Sequence, residues 1–203
     1  MARNRGKRSE AAHAGLIGPN ALLQMMPVLE RMAGPEGALR MLRQAGVEAL
    51  PDGQSMIPEG QAAQLHQWLR GAMGDQAAVM AAEAGQNTAR YIMKHRIPGP
   101  VQTVLKVLPA PLAARALSGA ITKHAWTFAG SGAFRTHGPW RFEIADNPIV
   151  RGEESDTCLC HWHAAVFETL YRKLVHGDCS CRELACGAQP GVEACDFEIT
   201  RRG

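Results

Sequence analysis

In the first half of the chain the apolar positions recur at helical spacing. In GPNALLQMMPVLERMAG, Leu22, Met25, Met26 and Leu29 fall on one face, with Pro27 the expected kink. A second, short helix is predicted over Pro35–Ala45, with proline in its first turn and Gly46 at its stop. Pro58 and Glu59 open a third, whose stripe is Leu65, Trp68, Leu69 and Met73. Asp75 is placed to cap a long fourth helix carrying Val79, Met80, Ala84, Tyr91 and Ile92. Methionine on these faces suits either a plain core or the wall of an adaptable apolar pocket.

From Pro98 to Ala125 the pattern changes. Pro98, Pro100, Pro109 and Pro111 divide it into two short apolar helices, Val101–Leu108 and Leu112–Lys123. This is either a proline-hinged flap over a hydrophobic cavity or an irregular helical connection packed on the core. Beyond it the period shortens to that of strands, at Ala125–Phe134 and Trp140–Ala145, with Thr136-His137-Gly138-Pro139 as the turn. Asn147–Asp156 reads as a loop. CHWHAAVFETLYRKLV then returns to helix, with Trp162, Val166, Leu170 and Leu174 at steps of four. Strands at Asp178–Ala185 and Glu193–Thr200 flank the turn GAQPG. Helices first and strands mostly afterwards predict an α+β fold, with N-terminal helices packed on an antiparallel sheet.

Composition narrows this picture. A chain of 203 residues suits one domain and needs no disulfide staples to bury a core. The 22 basic and 19 acidic side chains leave a net charge of +3, which gives no reason to expect nucleic acid as a partner. The excess sits in MARNRGKRSE, where Arg3, Arg5, Lys7 and Arg8 face only Glu10. Residues 1–14 are therefore read as a disordered basic arm, solvated or drawn to an acidic partner or membrane surface, and 15–203 as a single domain. The most apolar stretch, Val101–Ile121, is interrupted by Lys106, Pro109, Pro111 and Arg115, so no membrane span is expected. No apolar segment follows the basic N-terminus, which points to a cytoplasmic, at most membrane-peripheral, location.

The more informative residues are the cysteines. All six lie between Cys158 and Cys195. In a reducing compartment they are thiols or metal ligands before they are disulfides. Zinc takes four ligands, favours thiolate and imidazole, and deprotonates the thiols it binds. Cys160 falls at the start of a helix, whose unpaired N–H groups favour a thiolate. Cys186 ends one strand and Cys195 begins the next, so a tight hairpin brings them near each other. Glu183 stands close enough to add a carboxylate oxygen. The spacing is not that of a CxxC…CxxC ribbon, and inert buried thiols are the competing reading.

Cys160, then Cys186 and Cys195 with Glu183 in RELACGAQPGVEACDF, resembles the C-terminal half of the 4-vinyl reductase domain family. The resemblance covers roughly Gly15 to the C-terminus and is most specific from Cys158 to Phe197. It implies a fold similar to transport-protein-particle subunits, a zinc site near the sheet edge and a small-molecule pocket between helices and sheet. By position, the implied ligands are Cys160, Glu183, Cys186 and Cys195, with Cys181 as an alternate on the same strand face as Glu183. His161 and His163 are poorer candidates, because the helix turns them away from each other. The resemblance further implies a place in bacteriochlorophyll biosynthesis, with a porphyrin or chlorophyllide-type pigment, a biosynthetic enzyme and a second copy of the chain as partners.

Reduction of a vinyl group needs an electron or hydride source, usually a bound cofactor. The sequence has no G-x-G-x-x-G between strand and helix, and AGSGAF at 129–134 reads as a strand bend. A zinc with four protein ligands does no redox chemistry. The residues therefore favour a tetrapyrrole-binding and delivery protein over an 8-vinyl reductase, with a ligand-sensing or assembly module as the third reading. Tyr91, His95, His124, Trp126 and Phe128 flank the proline-rich helices and are the candidate pigment contacts. Arg90, Lys94 and Arg96 are candidates for its carboxylates.

Overall fold

The computed structural model describes residues 15–201, and the basic arm expected at 1–14 lies outside them. Leu16–Ile17 (β1) pairs antiparallel with Ile57–Pro58 (β2) in a two-residue ribbon that the sequence pattern did not reveal. Between them lie Asn20–Leu23 (α1) and Met26–Gln44 (α2). Pro27 stands in the first turn of α2 and starts the helix instead of kinking it. The break comes at Gly34, whose φ of 70° leaves the helical region just before Pro35, where the second helix was expected to begin.

Glu59–Met73 (α3) and Gln76–His95 (α4) follow the predicted stripes. Asp75 occupies the cap position of α4, but its side chain makes no capping hydrogen bond. Gly99–Val107 (α5) and Ala110–Lys123 (α6) are the two proline-started helices, and both rest on Leu105 and the Ala113, Ala114, Leu117, Ile121 face.

The strand expected at Ala125–Phe134 is corrected. Trp126–Ala129 is a helical turn (α7), and strand begins only at Ala133–Thr136 (β3). Tryptophan, threonine and phenylalanine favour strands in general. Here the N–H groups of Thr127 and Phe128 bond back to His124 and Ala125, and the Thr127 carbonyl accepts the N–H of Gly18 at 2.8 Å. A side chain at Gly18 would crowd that same carbonyl.

Arg141–Ala145 (β4), Cys179–Ala185 (β5) and Ala194–Arg201 (β6) join β3 in an antiparallel sheet of order β3-β4-β6-β5. Residues Phe142 and Ile144 of β4, with Cys195, Phe197 and Ile199 of β6, turn one face inward. His161–Leu174 (α8) lies on that face, and Phe167 meets Phe142 and Phe197 at ring separations of 5.0 and 5.4 Å. The opposite side of α8 packs along α4, where Ala81, Ala84, Gly85 and Ala89 keep the helices close. The outer face of the sheet is polar and carries the Arg135–Glu143 and Arg141–Asp196 pairs. Helix α8 is thus the central layer, and its N-terminus meets the end of the β5–β6 hairpin.

Candidate metal centre

Cys160 is the residue at which α8 begins, with φ −86° and ψ 42°, and it is buried. Cys195 points inward from β6, opposite Ile144. Cys186 lies just past the end of β5, in a turn where its N–H donates to Gln189 Oε1 at 2.8 Å and its carbonyl accepts from the Gln189 N–H. Glu183 is three residues earlier, and in a regular strand such a pair would face opposite ways. The ladder has a bulge here: Glu183 is opposite Phe197 and Ala185 is opposite Asp196, which leaves Leu184 as the extra residue. The bulge turns Glu183 and Cys186 to the same side.

One ligand atom from each of Cys160, Glu183, Cys186 and Cys195 lies within 4.8 Å of the others. Cys195 Sγ is 3.2 Å from Cys160 Sγ and 3.9 Å from Cys186 Sγ. Zinc–sulfur bonds of ~2.3 Å in a tetrahedron separate sulfurs by about 3.8 Å, so the cluster has the dimensions of such a site.

Electrostatics supports the same reading. Glu183 Oε2 accepts the N–H of Cys160 at 2.7 Å, while its Oε1 is buried with no hydrogen-bond partner. Burial, followed by the charge on Cys186, pushes the Glu183 carboxyl up to about 8. Burial also drives the Cys160 thiol well above its usual range. Hydrogen bonds from Cys160 and then Cys195 hold Cys186 far below it. One thiolate is therefore shared among three sulfurs, and a divalent cation is what would let all three, and the carboxylate, ionise together. The donor set and the orphaned oxygen fit a metal that accepts sulfur and oxygen.

Residues that the sequence reading did not single out complete the surroundings. Asn147 is buried, and its Nδ2 donates to Cys160 Sγ at 3.3 Å and Cys195 Sγ at 3.5 Å. Its Oδ1 accepts the N–H of Ile149, which fixes the amide's orientation. The Gly187 N–H donates to Cys195 Sγ at 3.4 Å. The loop carrying Asn147 is clamped from α3: Arg151 pairs with Glu59, and Arg70 with Glu153 while also donating to the Ile149 carbonyl. The one sequence signal for Asn147 was a polar residue directly before Pro148, Ile149 and Val150, an apolar run that is itself buried.

The other candidates fall elsewhere. Cys181 is not in the cluster; its N–H bonds to Glu168 Oε2 and it is opposite Ile199, one full strand repeat from Glu183. Cys158 Sγ approaches the Glu183 carbonyl at 3.6 Å, and Cys179 is buried at the far end of β5. His163 is buried, with Nε2 against the Phe128 carbonyl at 3.2 Å, and burial lowers it to about 4. His161 is half-buried and lowered, by burial first and then by Arg70. Tyr91 and His95 stack at 4.6 Å on α4. His124 is exposed and bonded to the Ala120 carbonyl, and Trp126 is partly exposed on α7. Phe128 packs into the aromatic core against Phe134 and Phe167.

The family pattern of the 4-vinyl reductase domain matches residues 140–201, the stretch that holds β4, α8, the β5–β6 hairpin and every member of the cluster. The chain belongs to that family. It is 50% identical to the bacteriochlorophyll synthase 23 kDa chain of Cereibacter sphaeroides, over 95% of this chain and 94% of that one. With the protein of the same name from Rhodobacter capsulatus it shares 44% identity, over 92% and 88%. Among solved structures, an H-NOX domain from a study of heme distortion matches with a TM-score of 0.56 at 9% identity, over 92% of this chain and 96% of that one. The expected likeness to transport-protein-particle subunits is corrected accordingly, since the structural neighbours are H-NOX domains.

Proposed function

We propose that this protein binds a tetrapyrrole intermediate of bacteriochlorophyll biosynthesis and delivers it to an enzyme of that route, with zinc held structurally by Cys160, Glu183, Cys186 and Cys195. The observation that carries the reading is near-full-length identity of 50% to a protein named as a bacteriochlorophyll synthase chain. It supports a role in that biosynthesis. The cluster favours binding over catalysis, because four protein donors, three of them buried thiols, close a tetrahedral coordination and leave no position for substrate. A fold shared with domains described by heme and porphyrin distortion is compatible with a flat macrocycle as ligand.

The proposed pigment contacts are the Tyr91–His95 ring pair, with His124 and Trp126 across the proline-started helices, and Phe128 as a core wall. The protein would act in the cytoplasm, as a monomer or homodimer. The test is to mix purified protein with a divinyl chlorophyllide-type pigment, with and without reductant. Stoichiometric binding without conversion, weakened by Tyr91→Ala, supports a carrier. Turnover to the monovinyl product would replace that reading with a reductase. No pigment binding, together with a co-purifying protein, would replace it with an assembly or sensing module.

A further inference from the structure

We infer that the outer face of α5 and the start of α6 form a docking surface for an anionic lipid bilayer. Helix α5 is anchored by buried Leu105 and by Gln102, whose amide donates to the carbonyls of Met93 and Ile97. Its remaining apolar side chains point the other way. Val101, Val104 and Val107 are 47%, 54% and 76% exposed, and at 100° per residue they span one continuous arc. Leu112, across the Pro109–Pro111 hinge, is 54% exposed and extends the same strip. Valine is seldom left in water three times on one short helix, and such a strip marks an interaction surface.

Charge selects the occupant. Every charged residue between Glu83 and Glu143 is basic. Lys94, Arg96, Lys106, Arg115 and Lys123 are all exposed, and among the described residues none of them forms an ion pair. Apolar side chains projecting from short helices, rimmed by uncompensated lysine and arginine, match the interface of a negatively charged membrane: the valines enter the headgroup boundary and the cations meet lipid phosphates. No helix among the described residues is long and apolar enough to cross a membrane, so contact would be at the surface. The inference is independent of pigment binding.

The test is co-sedimentation of the full chain with vesicles of phosphatidylglycerol and phosphatidylcholine, and with pure phosphatidylcholine. Wild type should bind the anionic vesicles and release them as salt is raised. Lys106→Gln with Lys123→Gln should weaken binding about five-fold per charge removed. Val104→Asp with Val107→Asp should weaken it by at least ~10-fold, and since both sites are exposed the variant should keep the wild-type melting profile. Four results would each overturn the inference: no binding by wild type, including self-association through this face instead; equal binding to neutral vesicles; wild-type binding by the valine variant; or complete loss on neutralising only Arg3, Arg5, Lys7 and Arg8.

Discussion

Glu183 and Cys160 are joined across the junction of hairpin and helix: one carboxylate oxygen accepts the Cys160 N–H at 2.7 Å, and the other is buried with nothing to bond. The first contact fixes the carboxylate at the start of α8. The second leaves an oxygen among three sulfurs, where a buried polar atom without a partner is costly. Replacing Glu183 by Gln keeps an acceptor for Cys160 and removes the charge. Glu183→Gln should therefore fold, yet bind zinc at least ~10-fold more weakly than wild type in a chelator competition. An affinity equal to wild type would remove Glu183 from the ligand set.

Metal analysis of the protein purified without chelator should find about one zinc per chain. Cys186→Ala should lose it and lower thermal stability by several kcal/mol, because binding to the folded site alone contributes to folding. A metal-free wild type that melts no lower than a zinc-loaded one would count against the site.

Asn147 donates to two of the sulfurs while its own oxygen is held by Ile149. These N–H groups offset the negative charge of a three-thiolate, one-carboxylate site. Asn147→Leu keeps the volume and removes the donors, and should cost about 10–100-fold in zinc affinity. It should also cost ~1–3 kcal/mol of stability, since the buried Ile149 N–H loses its acceptor. Isothermal titration and urea unfolding measure the two effects separately.

His66 gives a pH dependence. Its ring is fully buried, with Nε2 beside the Ala21 carbonyl at 3.1 Å, and burial, then the nearby Arg70 charge, lowers it to about 3 from 6.5. The unfolded chain takes up the proton first, so stability is complete above about pH 6.5 and falls as pH drops toward 3. The slope from this residue is about 1.4 kcal/mol per pH unit in that window. His66→Gln should flatten the urea-unfolding profile by that amount relative to wild type; parallel profiles would show that His66 is not the source.

Gly85 sits where α4 crosses α8. A methyl group there would overlap the Trp162 carbonyl and lie 2.9 Å from Ala165 Cβ. Helix propensity alone favours Gly→Ala by about 1 kcal/mol. Both obstacles belong to the central helix, so overpacking should win, and Gly85→Ala should destabilise by ~1–3 kcal/mol in a denaturant melt.

Much of the architecture was readable because it rests on short-range periodicity. The stripes of α3, α4 and α8, the proline starts of α5 and α6, and the last hairpin all follow from apolar spacing and from where proline and glycine interrupt it. Residues 126–129 misled for the same reason: their composition favours strand, and the winning contacts come from Gly18, far away in sequence. The clamp on the Asn147 loop was equally invisible, since Arg151 meets Glu59 across 92 residues of chain.

By itself, then, the sequence determined the helix-then-strand order, the polar outer and apolar inner faces, and the confinement of every cysteine to the last strands and helix, because each is a matter of neighbours a few residues apart. Which cysteines converge was decided by tertiary structure. Cys181 and Glu183 look equivalent on a regular strand, and Glu183 and Cys186 look opposed. The bulge at Leu184 reverses the second relationship, and the seating of α8 on the sheet brings Cys160 to Cys195. Register and packing act over the whole chain, and so does the burial that leaves one oxygen of Glu183 without a partner.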